Sequence, residues 1–146
     1  MAVTLAQVQS AIAAGSIAGV KTLYTSATAP TVINTRDCPA LLPDPAQPLA
    51  GSRSDRRTWA GAGWQRARVY QYVALIAEAG AGRAPGENAA LLSSVMDATE
   101  NYLCDLAIPG VISLGPVAIG GAGLVQDASG KQFHGFTVQL TVTSSY

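Results

Sequence analysis

The alternation of apolar and polar residues is clearest near the end of the chain, in GFTVQLTVT at residues 135–143. Successive side chains of a strand point to opposite faces, so this stretch predicts a strand with one apolar face and one polar face. The apolar set is Phe136, Val138, Leu140 and Val142, and the polar set is Thr137, Gln139, Thr141 and Thr143. Such a polar face suits water or the surface of another subunit.

Two segments have the period of an amphipathic helix. The first covers roughly residues 5–14, with Thr4 as a candidate cap and Gly15 as a candidate end. The second runs from Asn88, another candidate cap, to about residue 105. Its apolar arc holds Leu91, Leu92, Val95, Met96, Tyr102, Leu103 and Leu106, and its polar arc holds Ser93, Ser94, Asp97, Glu100, Asn101 and Asp105. We expect the leucine side of this second helix to pack on a sheet.

Residues 64–80, WQRARVYQYVALIAEAG, have a composition that also allows a helix. On a helical wheel, however, Gln65 and Arg68 fall among the apolar residues. A strand places Ala67, Val69, Val73, Leu75 and Ala77 on one face, interrupted only by Gln71. The valine and tyrosine content also favours a strand, so we predict one long strand here.

Shorter strands are predicted elsewhere. Residues 19–26 read as a strand, whereas the prolines around residues 38–42 allow only a brief strand or an edge strand there. Residues 106–125 carry no charge, but Pro109 and Pro116 with five glycines argue against a membrane helix. We predict two short strands with a kink, and no contact with a membrane.

The remaining segments are predicted to be loops and turns. Residues 43–63 have no sustained period and predict a long loop, of the kind that is often functional. Residues 81–87 predict a turn, and so do residues 126–132, where Gly130 can adopt a positive φ. The order of helix, strands, helix and strands predicts a single α+β domain over residues 1–146. In it, two helices pack on a mainly antiparallel β-sheet.

The chain has few charged residues. They make up 12% of it, about half of the roughly 25% usual in soluble domains. The nine basic and nine acidic residues leave no net charge, which argues against a dedicated nucleic-acid binder. A surface this poor in charge indicates coverage by partners, although an alanine- and threonine-rich free surface is the alternative. Cys38 and Cys104 are far apart in sequence, and we expect both to be reduced thiols.

No catalytic pattern is present in the sequence. His134 is the only histidine, and we expect it to be a surface or interface residue. Any serine–histidine–acid arrangement would have to be assembled around it. One histidine and two separated cysteines do not make a transition-metal site, and the aspartates lack the spacing of a calcium loop. We therefore predict no enzyme activity, no metal and no cofactor.

Arginines and tryptophans concentrate in one part of the chain. The candidate partner-binding residues are Arg53, Arg56, Arg57, Trp59, Trp64, Arg66 and Arg68. They include five of the nine basic residues and both tryptophans. Arginine and tryptophan are enriched among the residues that dominate protein interfaces. Three interpretations stay open: a protein contact, a solvated loop, and contact with nucleic acid, which also uses arginine and aromatic side chains.

The order of elements over nearly the full length resembles that of the tail terminator proteins of long-tailed bacteriophages, the group that includes the terminator of phage lambda. The resemblance rests on a helix TLAQVQSAIAAG, a strand VKTLYTS, a proline-marked piece CPALLPDP, a long strand RARVYQYVALIAEAG, a helix NAALLSSVMDATENYL and a last strand FHGFTVQLTVTSSY. The loop at 43–63 does not align with the family pattern, which leaves its role open.

The resemblance implies a structural virion protein. Its members form a ring, commonly of six subunits, at the head-proximal end of the tail tube. The implied partners are other copies of the chain, the tail tube protein and the head–tail connector, with passive contact to DNA in the lumen. Assembly would occur in the host cytoplasm. The polar face of 135–143 would then line the lumen or meet a neighbouring subunit, and its apolar face would pack on the helix around Leu92 and Val95.

Three alternatives to this function stay open. The nearest is a neck or head–tail connector ring protein, which shares the small size and the ring assembly. An α+β domain that binds a small ligand or catalyses a reaction between helix and sheet belongs to another class. A virion or pilus adhesin module is the third.

Overall fold

Two long strands, Trp64–Glu78 and Gln132–Ser145, pair antiparallel at the centre of a sheet. The structure is a computed structural model and describes residues 3–49, 52–57, 64–79 and 88–145. Within these residues the helices and strands are, in chain order, α1 (Leu5–Ala14), β1 (Thr22–Leu23), β2 (Ala40–Pro43), β3 (Ser52–Arg57), β4 (Trp64–Glu78), α2 (Ala89–Asp105), β5 (Val111–Ile119), β6 (Gly123–Gln126) and β7 (Gln132–Ser145). A 3₁₀ turn at Thr35–Asp37 precedes β2.

The sheet is antiparallel except at one edge. Its order is β1-β2-β4-β7-β5. β3 pairs with the first half of β4, ahead of β2, and β6 pairs with the first residues of β7. Only β1 and β2 run parallel in the described part of the chain. The predicted α+β fold with a mainly antiparallel sheet and two helices is therefore confirmed.

The expected loop at 43–63 is wrong in its middle part. Residues Ser52–Arg57 form β3, which pairs with β4 from Ser52 opposite Val69 to Arg57 opposite Trp64. The sequence SRSDRR has no apolar alternation because β3 pairs with a section of β4 whose described side chains are only half buried. Pairing with a longer strand, rather than an apolar period in its own sequence, specifies this strand.

Both predicted helices are present. Thr4 caps α1 through a reciprocal capping box: Gln7 N donates to Thr4 Oγ1 over 3.1 Å, and Thr4 N donates to Gln7 Oε1 over 2.9 Å. Asn88 precedes α2, but its side chain makes no capping hydrogen bond. The polar arc predicted for α2 is exposed throughout. Its apolar arc is buried at Leu92, Val95 and Leu103, whereas Leu91 lies outside the contact and is 41% exposed.

The two faces of the sheet are covered differently. On one face, alternate residues of β4 and β7 pack with both helices in the main core, among them Tyr70, Tyr72, Ala74, Ile76, Phe136, Val138, Leu140 and Val142. On the other face a smaller core joins Ile33 and Cys38 to Val73, Leu75 and Phe133. The alternation predicted for residues 135–143 is confirmed. In β4, the tyrosine-bearing face meets the helices, and the set from Ala67 to Leu75 lies on the opposite face.

The predictions for the shorter segments are confirmed only in part. The strand expected at 19–26 is reduced to the two residues of β1. The strand near 38–42 is brief, as expected, although it lies between β1 and β4 rather than at the edge. Residues 106–125 contain β5 and all but the last residue of β6, and Gly130 has the predicted positive φ, at 88°. No described helix is long and apolar enough to cross a membrane. The turn expected at 81–87 lies outside the described residues.

Candidate partner-binding site

The hairpin of β3 and β4 brings most of the predicted arginine–tryptophan cluster together. Arg53 is the Cα partner of Arg68, and Arg57 is the Cα partner of Trp64. Arg56 pairs in the same way with Gln65. A set of residues spread over sixteen positions of sequence therefore shares one end of the sheet. Trp59 lies outside the described residues.

Arg66 is engaged within the hairpin itself. Its Nε lies 2.9 Å from Asp55 Oδ1, and its Nη2 lies 3.5 Å from Asp55 Oδ2. Asp55 is its Cα partner on β3, so the pair joins the two strands side by side. The two side chains are 15% and 25% exposed. An ion pair this accessible typically contributes less than about 1 kcal/mol to the stability of the fold. Its main effect is therefore to hold β3 and β4 in register.

Arg68 connects the hairpin to the start of the chain. Its Nη1 lies 3.5 Å from the carbonyl oxygen of Val3, one residue before the cap of α1. Arg68 also lies close enough to Tyr70 to affect its hydroxyl group. Burial raises the pKa of the Tyr70 hydroxyl, and the hydrogen bond and charge of Arg68 oppose that rise. Both arginines of β4 thus contact their own chain, a role that the charge pattern alone does not reveal.

Beside the arginines lies an open polar part of the sheet, which we call the threonine–glutamine face. It consists of Gln65 and Gln71 on β4 and Thr137, Gln139, Thr141 and Thr143 on β7. Gln71 Nε2 donates to Gln139 Oε1 over 3.3 Å across the two central strands. A shallow depression at its end is lined by Ser54, Asp55, Gln65, Ala67 and Thr143. The six residues of this face offer hydrogen-bonding groups but no charge.

A wider groove lies at the other end of this side of the sheet. It runs between Asp44–Ala46 and residues 124–130, over Val73 and Thr137. Its two carboxylates are occupied by the chain. Asp44 Oδ1 accepts a hydrogen bond from Ala46 N over 2.9 Å, and Asp127 accepts four hydrogen bonds from Ile33, Ser129 and Lys131. Burial by itself raises the pKa of Asp127, but these hydrogen bonds outweigh it and lower the pKa. Both carboxylates of the groove therefore already accept hydrogen bonds from the chain itself.

His134 is buried rather than exposed. It is 2% exposed, and its Nδ1 lies 2.9 Å from Asn88 Nδ2. The expected surface position is wrong because β7 begins at Gln132, which places His134 inside the strand and next to the start of α2. The histidine thus joins β7 to α2.

The two cysteines differ in environment. Both are free, as expected; Cys38 is buried and Cys104 is exposed. Burial, followed by the charge of Asp37, raises the pKa of the Cys38 thiol to about 11, so it is protonated at neutral pH and a poor nucleophile. Among the described residues no group of three or more histidines, cysteines and acids is positioned to hold a metal ion.

Comparison with known proteins leaves the chain without an assigned family. No protein-family model matches it, and a search of curated proteins finds no similar sequence. The functional conclusion therefore depends on the residues and surfaces described above.

Proposed function

We propose that the protein is a structural virion component, a tail terminator that forms a ring at the head-proximal end of a phage tail tube. In this role it ends tube polymerisation and offers a docking surface to the head. The partners are other copies of the chain, the tail tube protein and the connector of the head.

The one-sided covering of the sheet carries this proposal. Both helices pack on one face, and the smaller core covers only one end of the opposite face. The remainder includes the threonine–glutamine face, whose six residues carry no charge. A monomer normally covers itself with charge for solubility, whereas a ring subunit has surfaces covered by neighbours or directed to a lumen. The low charge content of the whole chain supports the same role.

The arginine–tryptophan hairpin supports a protein partner. It lies at one end of the sheet, next to the threonine–glutamine face, so one partner could contact both surfaces. Arginine can bind a carboxylate with two hydrogen bonds, and tryptophan can bury a large apolar area. The zero net charge makes DNA a weaker partner than a protein surface.

The position of the protein in a particle tests the proposal. Phage particles assembled with the chain carrying a small C-terminal tag would be imaged after labelling, with a tagged tail tube protein as the control for label access. We expect label only at the head-proximal end of the tail, and overlong tubes without heads when the chain is deleted. Label along the tube, or tails of normal length joined to heads in the deletion, would contradict the proposed function.

A further inference from the structure

A second groove, which we call the helix-end groove, lies where α1 and α2 end. It is lined by residues 16–18, which follow α1, and by residues of the second half of α2 and just beyond it. Its volume of 520 Å³ falls within the range of about 300–1,000 Å³ that is usual for sites of small ligands. Ile17, Ala98 and Leu106 contribute apolar surface, and Asn101 and Asp105 contribute polar groups.

Tyr102 holds the two sides of this groove together. It lies on α2 and lines the groove, and its hydroxyl donates to Ile12 O in the last turn of α1 over 2.7 Å. This hydrogen bond fixes the end of one helix against the other, so the groove is formed without a ligand. A tyrosine ring also attracts cations through its negative face.

The charges at the helix-end groove all have one sign. Neither α1 nor α2 has a basic residue in its last turn, and no basic residue lines the groove. The C-terminal end of each helix carries a partial negative charge of roughly half an elementary charge. Asp105, the last residue of α2, adds a full negative charge. The groove therefore favours a positively charged ligand.

Asp105 occupies an unfavourable position for an acid. A negative charge in the last turn of a helix destabilises the helix, whereas a positive charge stabilises it. The side chain of Asp105 is exposed and has no hydrogen bond or ion pair with any residue that the structure describes. Residues that break a local rule without compensation from the rest of the fold are expected at functional sites. A bound cation would supply that compensation.

We propose that the helix-end groove binds an organic cation, which is an ammonium or guanidinium group carried on an apolar stem. The cationic group binds the Asp105 carboxylate beside the helix ends, and the side-chain oxygen of Asn101 accepts a further hydrogen bond. The stem packs on the apolar surface of Ile17, Ala98 and Leu106. A free alkylamine and a lysine or arginine side chain of another protein share this chemistry. The site uses neither the threonine–glutamine face nor the β3–β4 hairpin, so it is independent of the proposed tail function.

Titration with butylammonium tests the site, because this probe joins one ammonium group to an apolar chain as long as that of lysine. Nuclear magnetic resonance of the backbone amides follows the binding. We expect the signals of residues 16–18 and 98–107 to shift with a common saturation curve. Butanol, which lacks the charge, and ammonium chloride, which lacks the stem, are the controls and should bind more weakly.

Variants of α2 test the role of the carboxylate. Asp105→Asn should weaken butylammonium binding by about two- to fivefold, as expected for the loss of one exposed ion pair. Glu100→Gln is the matched control, because it makes the same charge change on α2 outside the lining of the groove, and it should leave the affinity unchanged. Asn101→Asp places a second carboxylate in the groove and should tighten the binding.

The free protein should respond in the opposite direction. Without a ligand, Asp105→Asn removes a negative charge from the end of α2, so we expect the melting temperature to rise by about 1–3 °C. Glu100→Gln should change it less, because Glu100 lies more than one turn before the end of the helix. A lower melting temperature for Asp105→Asn would mean that the carboxylate stabilises the fold, and would contradict its role in binding a cation.

The blocked tripeptide acetyl-Ala-Lys-Ala-amide distinguishes the two sources of the cation. Tighter binding of the tripeptide than of butylammonium assigns the groove to a side chain of a partner protein, and the reverse order assigns it to a free amine. The proposal is overturned if butylammonium shifts no signals of the groove or if butanol binds equally well. Equal weakening by Asp105→Asn and Glu100→Gln would also overturn it, because the probe would then respond only to the overall charge of α2.

Discussion

At the scale of single residues, Asp127 joins two segments of the chain through one carboxylate. Oδ2 accepts a hydrogen bond from Ile33 N over 3.0 Å, and Oδ1 accepts from the backbone of Ser129 and Lys131 over 2.9 and 3.0 Å. The side chain is 4% exposed, and the same turn donates from Ser129 N to Thr31 O. The carboxylate therefore fixes the turn between β6 and β7 against the segment that covers the smaller core.

Replacing this carboxylate by an amide should destabilise the fold in a pH-dependent way. In Asp127→Asn an NH₂ group replaces one acceptor and faces a backbone donor, so we expect a loss of about 1–3 kcal/mol at neutral pH. The pKa of Asp127 is lowered in the folded state, so its contribution is complete above the ordinary value of 3.8 and is lost as the pH falls below it.

Chemical denaturation at several pH values measures this effect. The stability difference between wild type and Asp127→Asn should shrink between pH 5 and pH 3. Asp44→Asn is the control, because its amide oxygen can still accept from Ala46 N, and it should change little. A difference that stays constant down to pH 3 would show that the charge of Asp127 is not the source of its contribution.

Gly15 is required by the close approach of a side chain from α2. A Cβ at this position would lie 2.4 Å from Tyr102 Oη, whose hydroxyl donates to Ile12 O over 2.7 Å. Gly15→Ala should displace the ring and lower the melting temperature, at a cost of about 1–3 kcal/mol. Gly121→Ala, with nothing within 4 Å of its Cβ, is the matched control. Equal melting temperatures for the two variants would contradict the packing described here.

At the scale of elements, the sequence predicts the strands and helices that have one buried face. Burial of one face gives their apolar residues a regular spacing along the chain. The face of β7 from Phe136 to Val142 and the exposed arc of α2 are confirmed because each has one side in the core and one side in solvent. β3 could not be predicted, since a fully polar strand has no apolar period and depends on pairing with β4. The burial of His134 was missed for a related reason, because its contact with Asn88 joins residues 46 positions apart.

The candidate partner-binding site is also only partly predictable from the sequence. The clustering of Arg53 to Arg68 is visible in the sequence, and the hairpin register brings these residues together. The sequence does not reveal that Arg66 contacts Asp55 or that Arg68 reaches Val3, because both contacts depend on the register and on the position of α1. The residue composition thus identifies the candidate surface, but it does not predict the hydrogen bonds and the ion pair within that surface.

The orientation of α2 leads to a direct stability prediction. Leu92 is 4% exposed in the main core, whereas Glu100 points to solvent. Leu92→Ala should cost about 2–5 kcal/mol, a large share of the stability of a small domain, and Glu100→Ala should cost little. Thermal unfolding monitored by circular dichroism compares the two. Equal effects would mean that the helix presents a different face to the sheet.

At the scale of the whole molecule, a protein with no net charge still has an uneven charge distribution. Five of the nine basic residues fall between Arg53 and Arg68, and three of the nine acids lie on α2. Between these regions lies a sheet whose threonine–glutamine face has no charge. Screening by salt weakens contacts between exposed charges, so assembly that depends on this distribution should weaken as the salt concentration rises.

Reversing the charge of the hairpin should block attachment in the particle while leaving the fold intact. Arg56→Glu with Arg57→Glu replaces two charged residues by two others in a strand, SRSDRR, that contains no apolar residue, so the melting temperature should stay close to that of the wild type. Lys21→Glu with Arg36→Glu is the control, because both residues are exposed and the net charge changes by the same amount. Phage carrying the β3 variant should produce overlong or headless tails, and the control should assemble normally, as measured by tail length and head attachment in electron micrographs. Tails of normal length joined to heads, together with failed delivery of DNA, would instead mean that these arginines contact DNA in the channel.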